Sequence, residues 1–386
     1  MGGYGPVGYR PTLLSRINCK VKMINRQRLI NTFLEIVQID SPSGAEGAMV
    51  EYVTSFLHAL GVRHVVDSFG NVIAYTEGSG GPLLLSAHLD TVEPGRAIAP
   101  VIEDGFIRSS GDTILGADNK VAVASLLELI RTLTEASVTD IPSLEVIFTL
   151  SEEVANLGAV NLDYSLLSAR EGFTFDSGSS LGTVITDSPF YNRFDIVVNG
   201  VACHAGHPER GLNALSLVVN ALSQITLGQT GLETTCNIGL IEGGVARNIV
   251  PGQITLRGEV RSFVESVLEE MCTDISSVFQ KVVAENEGSV EIEIVRENSG
   301  FSFSADDPLL RYTMRILEDL ELSPTPRVST GCYDANIFQE HGICVLNLGN
   351  GSVDNHTIRE KISVVDLEML ANLVYSLVMG FNRYRN

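Results

Sequence analysis

The spacing of apolar residues divides the chain into segments of two kinds. Where they recur roughly every three to four positions the spacing predicts amphipathic helices, at 25–37, 46–60, 121–133, 308–320 and 364–381. Where they form short continuous or alternating runs the pattern predicts strands, at 62–66, 71–75, 82–92, 144–150, 173–175 and 344–348. Strands and helices that succeed one another in this way predict an α/β domain.

The pattern changes between Pro189 and Asn298. Strands are predicted there at 190–198, 234–242, 252–260 and 289–295, and helices at 212–225 and 264–284. The resulting order, βαββαβ, is that of a ferredoxin-like sandwich, complete in about a hundred residues. Because 386 residues exceed the usual size of a single core, we expect an N-terminal extension (1–22), a discontinuous main domain (23–187 and 299–386) and an inserted domain (188–298).

Composition narrows the classes of partner. The hydrophobic fraction of 44% is ample for two cores, and the formal charge of −21 argues against a nucleic-acid partner and suits cation binding. The six cysteines are scattered without a CxxC pair, which favours reduced thiols and a cytoplasmic location. The first residues lack the apolar core of a secretory signal, and the apolar segment 367–381 contains Glu368 and is too short for a bilayer, so no membrane is expected.

The candidate chemistry begins at His88 and Asp90, where the apolar run 82–92 ends. Ligands of α/β sheets bind beyond the carboxyl ends of strands, and residues two apart in extended chain point the same way. An imidazole with an adjacent carboxylate is a frequent arrangement in metal sites, because the carboxylate fixes the tautomer of the histidine. A capped strand end with a surface histidine is the alternative interpretation.

Further acidic and histidine residues follow other apolar elements. Asp118 precedes a helix and could be a simple N-cap. Glu152 and Glu153 follow a strand, and in extended chain their side chains would project to opposite sides, so that one could bind a metal and the other a water. Asp176 ends an apolar run, and His356 lies in a polar loop. Each could alone be an ordinary surface residue.

Together these residues lie in motifs that resemble one family. The motifs are SAHLDTVEPG, SSGDTILGADNKVAVASLLELI, FTLSEEVANLGA, FDSGS, HAGHPERGLNAL, NIVPG, YDANIF and NLGNGSVDNHT. In this order they resemble the dizinc peptidases and amidohydrolases that include peptidase T, glutamate carboxypeptidase and aminoacylase, and most of all the peptidase T-like branch. The resemblance implies a catalytic domain with a mixed central sheet flanked by helices, and a ferredoxin-like lid and dimerisation domain.

The resemblance also assigns a role to each residue of the main domain. It implies that one zinc is held by His88 and Asp176, that the other is held by Glu153 and His356, and that Asp118 bridges both. Asp90 would orient His88, and Glu152 would be the general base for attack by a metal-bound hydroxide. Cobalt or manganese are possible substitutes for zinc. Members of the family often have a cis peptide after the bridging aspartate, so we expect one between Asp118 and Asn119.

In the inserted domain the resemblance points to three residues. It implies that His204 stabilises the oxyanion, often across the interface of a dimer, so a homodimer through this domain is expected. Asn248 and Arg261 would hold polar groups of the substrate, Arg261 by pairing with a carboxylate. The chain departs from the family at Asn119, where acidic residues or glycine are common, and at Val201, near which a lysine usually precedes the HAG motif.

Two enzymatic functions remain open, both with a short peptide or similar amide as substrate. The first is an aminopeptidase that releases N-terminal residues, typically from tripeptides. The second is an amidohydrolase or carboxypeptidase with the same metal chemistry. A noncatalytic metal-stabilised binding protein is the third possibility, and the presence of Glu152 with all five ligands argues against it.

Overall fold

The computed structural model describes residues 24–385. Within them the chain forms two compact units. The first unit contains the chain up to Thr186, Phe303–Val328 and the chain from Tyr333 onward, and the second contains Asp187–Ser302 and Ser329–Cys332. The predicted N-terminal extension, together with residues 23 and 386 of the predicted main domain, lies outside the described residues.

The first unit has the α/β architecture that the apolar pattern predicts. Its helices are α1 (Arg26–Val37), α2 (Gly47–Ala59), α3 (Ala117–Ala136), α4 (Leu157–Val160), α7 (Pro308–Asp319), α8 (Asp334–Glu340) and α9 (Val364–Arg385). Its strands are β1 (Arg63–Val66), β2 (Val72–Thr76), β3 (Gly80–His88), β4 (Pro100–Glu103), β5 (Phe106–Ser109), β6 (Pro142–Thr149), β7 (Glu171–Ser177), β8 (Thr183–Ser188), β17 (Thr325–Val328), β18 (Cys344–Gly349) and β19 (Lys361–Ser363).

The central sheet is mixed. Its strands follow the order β1, β2, β6, β3, β7, β18, β8, then the short β16 (Phe301–Ser302), and β17 also pairs with β8. The pairs of β6 with β3, β3 with β7 and β7 with β18 are parallel, whereas β1, β2 and β8 pair antiparallel with their neighbours. A hydrophobic core that includes Phe33, Phe148 and Phe173 joins this sheet to the helices. The expected mixed sheet flanked by helices is confirmed.

Helix α9 differs from its prediction in length. It spans 22 residues and is long and apolar enough to cross a membrane, so the expectation that this segment is too short is wrong. Two thirds of its apolar window (67%) is buried inside the protein. The helix contacts α3 and α7 and contributes Leu370, Leu373 and Leu377 to the core of the first unit. Its apolar character is therefore accounted for by burial against the neighbouring helices.

The second unit contains the βαββαβ order predicted from the sequence. Its elements are β9 (Phe190–Asn199), β10 (Cys203–His204), α5 (Ala214–Leu222), β11 (Gly228–Gln229), β12 (Thr234–Gly243), β13 (Ile249–Val250), β14 (Gln253–Ser262), α6 (Glu265–Ala284), β15 (Ser289–Asn298) and β16 (Phe301–Ser302). The main strands form an antiparallel sheet in the order β12, β14, β9, β15, and α5 and α6 pack on it around Phe194 and Phe279.

Local chemistry explains where helix α5 begins. The prediction began at Leu212, but Leu212 forms a bridge with Val201 instead. The side chain of Asn213 accepts hydrogen bonds from the backbone N–H groups of Leu215 and Ser216. Such a cap satisfies donors that the first turn of a helix leaves free, so the helix starts at Ala214.

The second unit is longer than the predicted insertion at both ends. The backbone of Phe301 and Ser302 pairs with Ser188 and Asp187. The separate segment Ser329–Cys332 is also held within this unit, because the Ser329 N–H donates to the Asp187 carbonyl and the Ser188 hydroxyl donates to the Gly331 carbonyl. These contacts join residues that are distant in sequence, and periodicity does not reveal them.

Candidate metal centre

Four neighbouring strands of the central sheet end at one edge, and this edge carries the candidate ligands. The strands β6, β3, β7 and β18 are parallel to one another. His88 is the last residue of β3, and Asp176 is the last but one of β7. Because the carboxyl ends of parallel strands meet at the same edge, side chains that are far apart in sequence converge there.

His88, Asp118 and Asp176 form the first group of potential ligands, and all three are buried. His88 Nε2 lies 3.5 Å from Asp118 Oδ1 and 3.4 Å from Asp176 Oδ1. Adjacent ligands of a tetrahedral ion with bonds of about 2.0 Å are about 3.3 Å apart. The donor atoms therefore already have a spacing suited to zinc.

Asp118, Glu153 and His356 form the second group. His356 Nε2 lies 3.5 Å from Asp118 Oδ2 and 2.8 Å from Glu153 Oε1. Asp118 thus turns one oxygen toward His88 and the other toward His356, as a bridging carboxylate must. The structure brings together all five predicted ligands, and Glu152 lies with Glu153 beside His88.

The residues present fit a pair of metal ions. His88 Nε2 and Asp118 Oδ1 are buried, and within residues 24–385 neither atom has a hydrogen-bond partner. Such buried polar atoms are costly unless another group binds them. Two imidazoles and three carboxylates without a thiolate form a donor set suited to hydrolytic zinc rather than to a closed structural site. His88 and Asp176 could hold one ion, Glu153 and His356 the other, and Asp118 both.

The protonation preferences of the cluster agree with cation binding. Burial would lower the pKa of His88, but the charge of Asp176 and the other carboxylates raise it well above its usual value. Burial raises the pKa of Asp176 to about 8, and contact with Asp118 and Glu153 raises the pKa of His356 to about 10. The cluster therefore retains protons that divalent cations would displace.

Asp90 organises the segment that carries the two glutamates. His88 Nδ1 lies 3.0 Å from the Asp90 carbonyl and 3.3 Å from its carboxylate, which suits the predicted orienting role. The same carboxylate accepts hydrogen bonds from the Ser43 hydroxyl and from the backbone N–H groups of Glu152 and Glu153. One buried aspartate thus links the end of β3 to the loop after β6.

The predicted backbone of this glutamate pair is wrong. Glu152 and Glu153 lie in a turn that follows Ser151, not in extended chain. Ser151 has a φ of 51°, so the chain changes direction directly after β6. Both carboxylates consequently lie near His88 instead of pointing to opposite sides of a strand. The turn, which the alternation argument could not detect, brings them together.

The sequence reasoning also missed the residues that support Asp118. Glu360 is buried, and its carboxylate accepts hydrogen bonds from the backbone N–H groups of Leu115, Gly116 and Asp118. The amide of Asn355 donates to Asp118 Oδ2 at 2.7 Å. The Asp118–Asn119 peptide bond is cis, as expected. Asn355 lies in the quoted motif NLGNGSVDNHT beside His356, which was the available signal.

Glu152 has two further polar neighbours that were not singled out. Asn156 donates to Glu152 Oε1, and the same amide nitrogen also donates to Asp334 Oδ1. Asp334 begins α8, a helix missing from the predictions although it starts within the quoted motif YDANIF. Burial and the charge of Asp176 raise the pKa of Glu152 well above its usual value. A carboxylate that retains affinity for a proton suits proton transfer.

Of the predicted functional residues in the second unit, His204 and Asn248 are exposed, whereas Arg261 forms hydrogen bonds within the unit. His204 pairs with Ile249 between β10 and β13, and the Asn248 carbonyl accepts a hydrogen bond from the Ala205 N–H, so His204 and Asn248 are neighbours on an exposed surface. Arg261 pairs with Glu259, and its guanidinium stacks on Tyr191 and donates to the Thr330 carbonyl. The structure thus uses Arg261 to hold the segment Ser329–Cys332.

Comparison with known proteins gives one consistent result. Residues 84–380 match the sequence model of peptidase family M20/M25/M40. The uncharacterized protein YqjE of Bacillus subtilis is 32% identical over 367 residues, which cover 92% of this chain and 99% of YqjE. A probable carboxypeptidase of Ajellomyces capsulatus is 29% identical over 297 residues, which cover 68% of this chain and 66% of the relative.

Solved structures resemble the chain over nearly its whole length. The aminopeptidase PepT of Bacillus cereus superposes with a TM-score of 0.86 and 33% identity, covering 93% of this chain and 99% of PepT. A tripeptidase of Staphylococcus aureus superposes with a TM-score of 0.88 and 30% identity, covering 94% of this chain and all of the tripeptidase (100%).

Proposed function

Because the chain belongs to peptidase family M20/M25/M40, we propose that this metallopeptidase is a dizinc exopeptidase that hydrolyses short peptides and releases their N-terminal residues. The observation that carries the proposal is the pair of ligand groups that share Asp118. The similarity to an aminopeptidase and a tripeptidase over more than 90% of the chain supports the substrate class.

In the proposed mechanism, different residues of the chain transfer the proton and position the ligands. His88 and Asp176 would hold one zinc ion, Glu153 and His356 the other, and Asp118 both, and the bound pair would supply Lewis-acid activation of the peptide carbonyl and of a water molecule. Glu152 accepts the proton of that water and passes it to the leaving amine, as general acid–base catalysis requires. Asp90 holds the imidazole of His88, and Glu360 and Asn355 fix the position of Asp118.

A panel of free and N-acetylated tripeptides tests the aminopeptidase assignment. The zinc-loaded enzyme should hydrolyse the free peptides and release their first residue, while the acetylated peptides remain intact, because an aminopeptidase requires the free amine. Mass spectrometry of the products identifies the bond that is cleaved. Release of the last residue, or of acetate, would contradict the assignment while leaving the metal chemistry in place.

A carboxypeptidase or amidohydrolase is the second candidate. The observation that favours it is the relative named as a probable carboxypeptidase. The same panel separates the two functions, because a carboxypeptidase releases the C-terminal residue and a deacylase releases the acyl group. Both would use the same ligands and Glu152.

We propose in addition that the enzyme is a cytoplasmic homodimer. Cysteines in the described part of the chain are free, which suits a reducing compartment.

The dimer proposal rests on one edge of the sheet in the second unit. There, β12 pairs with the short β11 only at Thr235 and Cys236, so within the described residues the later part of β12 has one neighbour, β14. This free edge carries exposed Leu240 and Ile241. Light scattering should give twice the mass of the chain, and Ile241→Glu should lower it.

A further inference from the structure

One amide in the first unit connects two buried carboxylates. Asn156 Nδ2 donates to Glu152 Oε1 at 2.9 Å and to Asp334 Oδ1 at 3.3 Å. The side-chain amide nitrogen of asparagine has two protons, and here each of them has a carboxylate acceptor. Asn156 and Asp334 are 178 positions apart in sequence, so the amide joins the loop after β6 to the start of α8.

The position of Asn156 is fixed independently of this contact. Asn156 is 2% exposed and has a φ of 54°, a left-handed conformation that asparagine adopts more readily than most residues. Its backbone N–H donates to the Glu152 carbonyl at 2.8 Å. Asp334 is also held from its other side, because the Thr149 hydroxyl donates to Asp334 Oδ2 at 2.6 Å. The backbone of Asn156 and its acceptor Asp334 are therefore both held in place by other hydrogen bonds, and these contacts fix the position of the Asn156 amide.

An ordinary packing role does not account for the whole arrangement. Asp334 already accepts a hydrogen bond from Thr149, and a buried carboxylate is expensive to retain where an apolar residue could fill the space. A side chain that only satisfied Asp334 would not need to reach Glu152 as well. A hydrogen bond to one carboxylate oxygen restricts rotation of the carboxylate, which suits a base that must meet its proton at a fixed position.

We propose that Asn156, anchored by Asp334, is a positioning residue for Glu152: it holds Oε1 and thereby directs the remaining oxygen toward the reacting water. Neither residue belongs to the five candidate ligands. The inference rests on the proposed role of Glu152 as general base. It assigns a function to a residue of the motif FTLSEEVANLGA other than its two glutamates.

Substitution of Asn156 by glycine tests the proposal with little strain, because glycine adopts a positive φ freely. Asn156→Gly should lower kcat by roughly ten- to a hundredfold, the scale expected when a catalytic group loses its alignment. KM and zinc content should stay within about twofold, since uniform substrate binding and the ligands are unchanged. Asn161→Ala is the matched control, because Asn161 is exposed and, among residues 24–385, its amide donates to the Leu157 carbonyl alone.

A double variant separates positioning from packing. In Asn156→Asp with Asp334→Asn, the donor and acceptor exchange places, so their mutual hydrogen bond can form again, while Glu152 loses its donor and gains a neighbouring carboxylate. The melting temperature should recover relative to the single variants, whereas kcat should remain low. Recovery of kcat together with the melting temperature would overturn the proposal, as would a fully active Asn156→Gly enzyme.

These outcomes are distinct from failure of the proposed function. If Glu152→Ala itself retained full turnover, the general base would be misassigned. If Glu152→Ala lost turnover but Asn156→Gly did not, only the positioning role would be rejected.

Discussion

The two units treat their candidate functional residues in opposite ways. In the first unit the ligands His88, Asp118 and Asp176 are buried, although His356 is exposed. Side chains from distant parts of the chain hold Asp118, since Glu360 accepts a hydrogen bond from its backbone N–H and Asn355 donates to its carboxylate. In the second unit His204 and Asn248 are exposed, the His204 imidazole accepts a hydrogen bond from the nearby Gly206 N–H, and the two segments are joined through backbone pairing. Buried charges need specific partners, whereas exposed groups do not. The positions of the candidate functional side chains are therefore fixed more closely in the first unit than in the second.

Removal of metal should have the largest effect, because it acts on both groups of candidate ligands at once. A chelator is expected to reduce hydrolysis to background and to lower the melting temperature, since metal at a hundred times its Kd stabilises a fold by about 2.7 kcal/mol. Zinc should restore both. Activity in a sample shown by mass spectrometry to be free of metal would contradict a metal-dependent reaction.

Glu152→Ala should have the next largest effect. Loss of a general base is expected to lower turnover by at least about a hundredfold. The variant should keep its zinc, because the five ligands remain, and elemental analysis measures this. Loss of zinc together with activity would reassign Glu152 as a ligand.

His204→Ala tests whether an exposed residue of the second unit contributes to catalysis. If the implied oxyanion role is right, turnover should fall by roughly 10²–10³ with zinc content and folding unchanged. His207→Ala is the matched control, since His207 is an exposed histidine in the same segment. An active His204→Ala enzyme would show that the second unit does not supply this donor.

Asn248→Ala should have the smallest effect. Loss of one neutral hydrogen bond, about 0.5–1.5 kcal/mol, corresponds to a rise in KM of roughly two- to tenfold with kcat retained. Steady-state kinetics on a tripeptide that the enzyme cleaves give both constants. A decrease in kcat with unchanged KM would place Asn248 in transition-state binding instead.

Much of the first unit could be predicted from the sequence because its signals are local. His88 and Asp176 lie at the ends of apolar strands, and the parallel pairing of these strands brings the two residues to one edge of the sheet. The βαββαβ order of the second unit was likewise visible in the periodicity. In both cases the pattern of burial determines the element, and the element determines where the side chain lies.

The supporting residues could not be predicted in this way. Glu360 acts on Asp118 from 242 positions away, and Asp334 reaches Asn156 across 178 positions. The turn at Ser151 depends on a positive φ at a residue that carries no conformational signature. Strand β8 is also missing from the predictions, since its six residues include Thr183, Asp187 and Ser188 and lack a clear apolar pattern. Contacts of this kind arise from the packed fold.

The segment Ser329–Cys332 has a consequence for protein engineering. The chain passes between the units at four places, because this short segment belongs to the second unit although its neighbours on both sides belong to the first. A fragment that ended at Ser302 would lack the Thr330 carbonyl that Arg261 holds and the Gly331 carbonyl that Ser188 holds. Chimeras with a related peptidase should therefore exchange Asp187–Ser302 and Ser329–Cys332 together.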